Sequence, residues 1–574
     1  MFNITCSDNF SVTHRVENPC DGVTLIYLDA KTKGEPSKLN LNIKWYTECV
    51  GANVFWAPNC YQSKRSRPSW YGTLKSCESS SAPVAGYVSY NDNNALMIAC
   101  SDAKNEVGIE AGVVEADGQI ECAVEINVQY NLTEYSAVVR FDTRKIPFYK
   151  VVGDIVKWWE GFDGYKPANV PTSAKMPLYS TWYSYHQDVD VPVILAECKY
   201  FADLGCRAVI VDDGWQTDTT GLGYQFCGDW EPAPSKIKDM KAFVDGIHAL
   251  GMKFLLWYSV PFVGIKSKVY ERFKNMLLPA SDVNGDTFKF DPRFPEVREY
   301  LIGKYKKAVL DWGLDGFKLD FIDSFSQCDE VRDGMDCVSV YDGVDRLFKE
   351  ILSELRKLNP DIMIEFRQSY IGPLMRTFGN MFRVVDCPND SFENRRSSLN
   401  LRISSGNTAT HSDMLMWDPR ETAEQAAYQL THIAFAVPQI SVKSADMPER
   451  HAKMVKTYLS FWTENRDVLM EGEMFYKGYA SDFLYASSRK DGAQIGVVFA
   501  GRIAYLEHAD ENITIINANP SEYVAFDSKF SGKYKYTVEN CVGEQVSCGE
   551  IDIKAGEIST IAAPENGYIN MKRV

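Results

Sequence analysis

The middle of the chain alternates short apolar runs with amphipathic stretches. Eight runs have strand character, and they cover residues 178–183, 208–212, 254–258, 316–320, 362–365, 382–385, 408–411 and 439–442. Stretches with helical periodicity, such as 193–204 and 341–358, separate most of these runs. Eight strands alternating with helices over about 290 residues predict a (β/α)8 TIM barrel. An open doubly wound sheet is the alternative, but no glycine-rich phosphate-binding motif follows any of the strands.

The two flanks of this region have a different pattern. Residues 1–145 show short strand-like runs with turn signals between them and no long helical period, which predicts an N-terminal antiparallel β-sandwich. Residues 146–175 read as a linker helix and a connection rich in glycine and proline. We assign residues 176–465 to the catalytic barrel. Strand-like runs return in residues 466–574, which predict a C-terminal antiparallel β-domain.

Composition and charge exclude several classes of partner. The chain has 574 residues and a net charge of −16, which argues against nucleic acid and anionic membranes because both require a basic surface. No run of 18 apolar residues is present, and residues 1–12 lack the basic and apolar segments of a secretory signal. The 15 cysteines are scattered and form no CxxC pair, which favours free thiols in the cytoplasm. No pattern in the chain indicates an oligomeric state.

Candidate chemistry lies at the carboxyl ends of the barrel strands, because the active sites of such barrels form there. Aromatic and charged side chains occupy most of these ends, whereas packing alone does not require them there. The candidates are Trp182, Asp212, Asp213, Trp215, Trp257, Lys318, Asp320, Glu365, Arg367, Arg383, Asp386 and His411.

Two of these carboxylates have the chemistry of a glycosidase pair. Lys318 and Asp320 are two residues apart, so both point to the same side of a strand, and the cation keeps the carboxylate ionised. Asp386 follows the sixth strand and supplies a second carboxylate. Cleavage of a glycosidic bond requires one such group to attack and another to protonate the leaving oxygen. Each candidate also has a purely structural interpretation. Lys318 and Asp320 could form a salt bridge at a strand end, and Asp386 could cap a helix.

A metal site is the weaker hypothesis for the same strand ends. His411 and Asp413 lie on one strand and could coordinate zinc, but the strand ends offer few further ligands. We therefore expect no metal. For Asp212 and Asp213, a simple turn is the alternative to binding neighbouring hydroxyl groups.

Four segments in order resemble glycoside hydrolase family 36, the α-galactosidase family. They read LYSTWYSYHQ at 178–187, VIVDDGWQ at 209–216, FKLDFI at 317–322 and RVVDCPND at 383–390. The resemblance covers residues 176–445. It implies a retaining α-glycosidase with a β-sandwich, a barrel and a C-terminal β-domain, without a metal or a cofactor.

The resemblance also implies roles for individual residues. Asp320 matches the nucleophile, and Asp386 is the best match to the acid/base, with Asp390 as the alternative. The other matches bind the sugar: Asp212 and Asp213 the O4 and O6 hydroxyls, Trp182 and Trp215 as aromatic walls, and Lys318 and Arg383 as neighbours of the two catalytic groups. The segment after the fifth strand departs from the family pattern, because Glu365 and Arg367 replace a region that is rich in cysteine and glycine in many members.

The expected function is therefore exo-acting release of terminal α-galactose from an oligosaccharide or α-glycoside by double displacement. The alternatives are an α-N-acetylgalactosaminidase, an α-glucosidase or a galactosyl transferase on the same scaffold. A non-catalytic sugar-binding protein is the alternative from a different class, and the presence of both carboxylates argues against it.

Overall fold

A closed barrel of eight strands forms the centre of the molecule. The computed structural model describes residues 2–59, 65–279 and 282–574. The barrel strands are Leu178–Ser180, Ala208–Val211, Lys253–Ser259, Gly316–Asp320, Met363–Arg367, Met381–Arg383, Ala409–Leu415 and Val437–Ile440. Neighbouring strands pair in parallel, and the first strand pairs with the eighth. The predicted barrel is confirmed, with every predicted strand present.

Amphipathic helices cover the outside of the barrel. The longer ones are Val191–Leu204, Met240–Ala249, Pro295–Lys307, Val340–Leu358, Ser391–Ser404, Ala423–Thr431 and Glu449–Glu464, and the short ones are Trp182–Tyr185, Tyr270–Phe273, Met375–Phe378 and Arg466–Glu471. Polar residues fix several of their starts: the Asp190 side chain accepts a hydrogen bond from the Val193 amide, and Thr422 with Gln425 forms a capping box. The helices bury one apolar face against the strands.

Apolar side chains close the barrel interior at the amino ends of the strands. Leu178, Ala208, Met363, Met381 and Ala409 each begin a barrel strand and form part of one buried cluster. Because this end is filled, a cavity within the barrel can open only at the carboxyl ends. An antiparallel hairpin of Phe262–Gly264 and Thr287–Lys289 follows the third strand, and the sequence analysis did not predict it.

Two antiparallel sheets around a shared apolar core form the N-terminal region. The five-stranded sheet contains Asn3–Cys6, Ser37–Glu48, Gln119–Leu132, Glu106–Val113 and Leu74–Ser76. The six-stranded sheet contains Phe10–Cys20, Val23–Thr32, Glu134–Asp142, Asn94–Cys100, Val84–Val88 and Val54–Trp56. The predicted sandwich is confirmed. The helix Phe148–Glu160 follows it and packs Val151, Val152 and Ile155 into the main core.

The C-terminal region is a second pair of sheets. The seven-stranded sheet contains Glu473–Lys477, Tyr485–Lys490, Ala493–Val498, Asn512–Asn517, Tyr568–Arg573, Gly532–Glu539 and Gln545–Ile553. The three-stranded sheet contains Ile503–Leu506, Tyr523–Ser528 and Ile558–Ala562. One pair in each sheet is parallel and the rest are antiparallel. The boundaries at residues 145, 175 and 465 stay a prediction.

The N-terminal sandwich contacts the mouth of the barrel directly. The Ser81 amide donates to the Ser369 carbonyl oxygen at 2.6 Å, and the Ser79 hydroxyl donates to the Phe325 carbonyl oxygen at 3.2 Å. Ser369 and Phe325 lie in the loops that follow the fifth and fourth strands. The sandwich therefore supports the loops that frame the cavity. In the described ranges, no helix combines the length and apolar character needed to cross a membrane.

Candidate active site

A cavity of about 230 Å³ opens at the carboxyl ends of the barrel strands. Its lining residues are Trp182, Asp212, Asp213, Tyr224, Trp257, Lys318, Asp320, Phe321, Arg367, Arg383 and Asp386. All except Tyr224 and Phe321 were candidates from the sequence. The cavity lies just below the usual range of about 300–1,000 Å³ for ligand pockets, so it suits a compact ligand such as one sugar ring.

Asp320 ends the fourth strand and receives hydrogen bonds on both carboxylate oxygens. Its Oδ1 accepts from Arg367 Nε at 2.7 Å, from the Tyr370 hydroxyl at 2.8 Å and from the Phe321 amide at 2.7 Å. Among the described residues, its Oδ2 accepts only from Trp257 Nε1, at 3.0 Å. The two oxygens are therefore unequal, with Oδ1 held by three donors and Oδ2 by one.

The charges around Asp320 keep it ionised. Burial acts to raise the pKa of its carboxyl group, but the positive charges of Arg367 and Lys318 outweigh burial, and the pKa falls well below its ordinary value. The chain turns sharply after this residue because Phe321 has a left-handed conformation with φ of 63°. This turn accompanies the bond from the Phe321 amide back to the carboxylate.

Lys318 forms its direct ion pair with Asp212 instead of Asp320. Its Nζ lies 2.7 Å from Asp212 Oδ2, and both side chains are buried. Burial acts to lower the pKa of Lys318, but the Asp212 charge prevails and the pKa is raised, so the ammonium group stays charged. The pair links the second and fourth strands across the barrel.

Two amide side chains position Asp213. Gln187 Nε2 donates to its Oδ2 and Gln216 Nε2 donates to its Oδ1, both at 2.6 Å. Burial raises the pKa of this carboxyl group to about 6, although both hydrogen bonds act in the opposite direction. The sequence analysis quoted both glutamines within its motifs but did not assign them to the site.

Arg383 connects the second candidate carboxylate to the barrel interior. Its Nη2 lies 2.8 Å from Asp386 Oδ1, while Nη1 pairs with Asp413. The Asp386 side chain is 54% exposed at the cavity mouth. Burial acts to raise its pKa, but the Arg383 charge is stronger and the pKa is lowered. Asp413 also accepts from the Tyr183 hydroxyl at 2.8 Å, so it anchors Arg383 without lining the cavity.

Asp390, the alternative to Asp386, has a structural contact. Its side chain accepts a hydrogen bond from the Glu393 amide at 2.9 Å and caps the helix Ser391–Ser404. It does not belong to the cavity lining. The capping interpretation that the sequence left open for Asp386 therefore applies to Asp390.

Aromatic rings form one wall of the cavity. Tyr224 and Trp257 stack with ring centroids 6.4 Å apart, and Phe321 meets Tyr224 edge to face at 5.3 Å. Trp182 lies elsewhere on the lining, with its ring against His186. Tyr224 comes from the long loop after the second strand, where no periodic pattern predicts a position near the site.

The cavity lining does not include Trp215, Glu365 or His411, and their predicted contacts with the sugar stay a prediction. The Trp215 ring is fully buried, and its Nε1 donates to the Trp257 carbonyl oxygen at 2.8 Å. Glu365 and His411 lie deeper in the barrel, where both contact Gln439. The three residues were placed by their proximity to a strand end, but side-chain direction decides which residues reach the cavity.

Burial shifts the pKa values of both Glu365 and His411, which lie below the cavity. Burial raises the pKa of Glu365 to about 7, against the charges of Arg383 and Lys318. Burial lowers the pKa of His411 to about 4, so this ring is neutral at physiological pH, and its Nε2 is 2.8 Å from the Ala174 carbonyl oxygen. In the described part of the chain, His, Cys, Asp and Glu side chains form no cluster of three or more that could hold a metal ion.

Residues 168–370 match the family model described as Melibiase. The chain is 24% identical over 201 residues to an "A type blood alpha-D-galactosamine galactosaminidase" of Flavonifractor plautii, which covers 30% of this chain and 18% of the relative. It is 23% identical over 169 residues to a "Probable alpha-galactosidase C" of Aspergillus flavus. This alignment covers 26% of this chain and 22% of the relative. The matched segments thus span less than a quarter of these curated relatives.

Solved structures share the whole architecture. A family 36 α-galactosidase of Geobacillus stearothermophilus in complex with 1-deoxygalactonojirimycin superposes with a TM-score of 0.68 at 13% identity, covering 99% of this chain and 82% of that one. The α-galactosidase of Lactobacillus brevis superposes with a TM-score of 0.66 at 13% identity. The alignment covers 100% of this chain and 86% of that one. At this identity the likeness shows the fold. Together with the barrel segment that matches the Melibiase model, it confirms the resemblance to glycoside hydrolase family 36.

Proposed function

We propose that the protein is a retaining α-glycoside hydrolase that removes terminal α-galactose. One observation carries the proposal: Asp320, an ionised carboxylate, and Asp386, a second carboxylate at the mouth, line the same small cavity. This is the pair that double displacement at an anomeric carbon requires. A sugar-binding protein without catalysis has no need for an ionised carboxylate held by four donors.

In the first step, Asp320 attacks the anomeric carbon and forms an ester with it. The bond from that carbon to the leaving oxygen breaks, and Asp386 in its protonated form transfers its proton to this oxygen. Because Arg383 lowers the pKa of Asp386, this form is the minor one at neutral pH. In the second step, Asp386 removes a proton from water, and the water oxygen attacks the anomeric carbon and releases the Asp320 carboxylate. The attacking oxygen is Oδ2, because Oδ1 already accepts three hydrogen bonds.

Galactose is the sugar we assign to the cavity. Asp212 and Asp213 present carboxylate oxygens to sugar hydroxyls, and Trp182 offers an apolar face to the ring. The named relatives include α-galactosidases, and related solved structures are complexes with raffinose and stachyose. An oligosaccharide ending in α-galactose is therefore the proposed substrate. We place the reaction in the cytoplasm, on the basis of the scattered cysteines.

Activity on a 2-amino or 2-acetamido sugar is the second candidate. It is favoured by the galactosaminidase of Flavonifractor plautii among the relatives. The same two carboxylates would serve this reaction, and the group on C2 of the sugar would distinguish the two activities. An α-glucosidase or a galactosyl transferase would use the same steps with another sugar or another acceptor.

The stereochemistry of the first product tests the mechanism. We expect an aryl α-galactoside to release α-galactose first, observed by proton NMR within the first turnovers. Release of β-galactose would overturn double displacement. A retaining site also requires about 5 to 5.5 Å between the carboxyl groups of Asp320 and Asp386 in a complex with a galactose analogue, and more than about 6.5 Å would indicate inversion.

A further inference from the structure

Arg367 lies next to the carboxylate that attacks in the proposed reaction. Its Nε donates to Asp320 Oδ1 at 2.7 Å, and Arg367 itself lines the cavity. A group bonded to the nucleophile lies near the anomeric carbon of any sugar bound for attack. Two parts of the sugar flank that carbon, namely the ring oxygen and the substituent on C2.

The positive charge of Arg367 determines which of these two parts of the sugar it can face. Positive charge develops on the anomeric carbon and the ring oxygen in the transition state. A guanidinium group facing the ring oxygen would oppose this charge, because two cations at short distance repel strongly in a partly buried site. The C2 side carries no such charge. Arg367 is therefore compatible with catalysis only on the C2 side.

The surroundings of Arg367 hold its guanidinium group in place. Nη1 donates to the Gln368 carbonyl oxygen at 2.9 Å, and the guanidinium carbon lies 5.4 Å from the ring centroids of both Phe321 and Tyr370. Asp323 approaches Nη1 only to 3.7 Å. Among the residues that the structure describes, Nη2 has no hydrogen-bond acceptor. Arg367, which lines the cavity, is therefore a fixed cation with a spare donor at the edge of the ligand space.

We infer that Arg367 determines specificity at C2: it favours an uncharged acceptor there, such as a hydroxyl or an acetamido oxygen, and rejects a protonated amino group. The inference rests on the proposed function, because it requires Asp320 to attack the sugar. Arg367 has two effects in this account. It donates to a neutral C2 oxygen, and its charge repels an ammonium group in the same position.

The nearby carboxylates do not cancel this repulsion. Asp320 Oδ1 already has three donors, and Oδ2 must stay free of a new cation to attack. Asp386 pairs with Arg383 at 2.8 Å. An ammonium group on C2 would thus meet the Nη2 side of Arg367, while Asp320 and Asp386 keep the cations that they already contact.

The experiment compares kcat/KM for an aryl α-galactoside and for the matching aryl 2-amino-2-deoxy-α-galactoside. The assay is run near about pH 6, where an amine of ordinary pKa is protonated. We expect the wild type to prefer the galactoside by about 100-fold or more, given the size of charge repulsion at such distances. A wild type that turns over the amino sugar equally well, as the second candidate function would require for a 2-amino sugar, would overturn the inference.

Variants separate the charge from the hydrogen bond to Asp320. In Arg367→Met, kcat/KM should fall for both substrates, but the preference for the galactoside should shrink to within about tenfold. Arg367→Lys keeps the positive charge, so it should keep most of this preference. Tyr370→Phe is the matched control, because it removes another donor from the same carboxylate oxygen without changing charge. It should lower both rates and leave their ratio intact. An unchanged ratio in Arg367→Met contradicts the inference.

Binding to the wild type keeps the two proposals distinguishable. Calorimetric titration should detect galactose and show at least about tenfold weaker binding of galactosamine at the same pH. Hydrolysis of the galactoside with equal binding of both sugars supports the proposed function and overturns the role of Arg367. A protein that neither hydrolyses nor binds galactosides overturns both.

Discussion

Lys318 Nζ lies 2.7 Å from Asp212 Oδ2, and this buried ion pair joins two barrel strands beneath the cavity. We expect Lys318→Met to lower the free energy of unfolding by about 3–5 kcal/mol, because it leaves Asp212 buried without its cation. KM for an aryl α-galactoside should rise and kcat should fall. Chemical denaturation and steady-state kinetics measure the two effects.

The double variant Asp212→Asn with Lys318→Met is the control for this pair. Because it removes both charges, it should recover part of the lost stability without restoring activity. Unchanged kinetics in Lys318→Met would contradict a role for this pair in the site.

Asp320→Ala should reduce turnover of an aryl α-galactoside by at least about 1,000-fold, because no other carboxylate can replace the nucleophile. Added azide should restore part of the rate and give a β-galactosyl azide, since a small anion can enter from the vacated side. Product analysis by NMR identifies the azide. Activity near that of the wild type would remove Asp320 from this role.

Asp386→Ala and Asp390→Ala form a matched pair. We expect Asp386→Ala to lower kcat for substrates with poor leaving groups by about 100- to 10,000-fold, and for activated aryl substrates by less. Asp390→Ala removes a helix cap and should cost about 1 kcal/mol of stability with kcat unchanged. A reversal of the two kinetic results would make Asp390 the acid.

Glu365 should make stability depend on pH. Burial raises the pKa of Glu365 to about 7 in the folded protein, compared with about 4.3 in an unfolded chain. The folded state therefore binds more protons between these values, and its stability falls as pH rises from about 4.3 to about 7. Glu365→Gln should match the wild type in stability near pH 4 and exceed it above pH 8, by on the order of 4 kcal/mol.

Denaturation of both proteins across this pH range measures the difference. Asp213 contributes a slope of the same sign in the wild type, because burial raises its pKa to about 6. Only the difference between Glu365→Gln and the wild type isolates Glu365. Parallel stability curves would show that folding does not raise the pKa of Glu365.

The barrel was predictable because each of its strands is a short apolar run between helical stretches. Asp212, Lys318 and Asp320 were accessible to the same argument, since they lie at or directly after strand ends that face the cavity. In the N-terminal sandwich, the strand Phe10–Cys20 is mostly exposed, so no apolar run along the sequence reveals it.

The rest of the site depends on contacts that sequence spacing does not encode. Tyr370 reaches Asp320 from the loop after the fifth strand, and Tyr224 reaches the cavity from the loop after the second. Glu365 precedes Arg367 by two residues on the same strand, yet only Arg367 lines the cavity. The depth of a residue along a barrel strand determines this difference, and a linear pattern does not specify depth.

The contact between Ser81 and Ser369 has a consequence for how such proteins can diverge. Ser369 lies two residues after Arg367, and a side chain at the neighbouring Gly372 would place its Cβ 2.7 Å from the Ser81 carbonyl oxygen. A change in the sandwich segment 77–82 therefore alters the frame of the cavity. We therefore expect exchange of the N-terminal module for that of a relative to change substrate preference as well as stability.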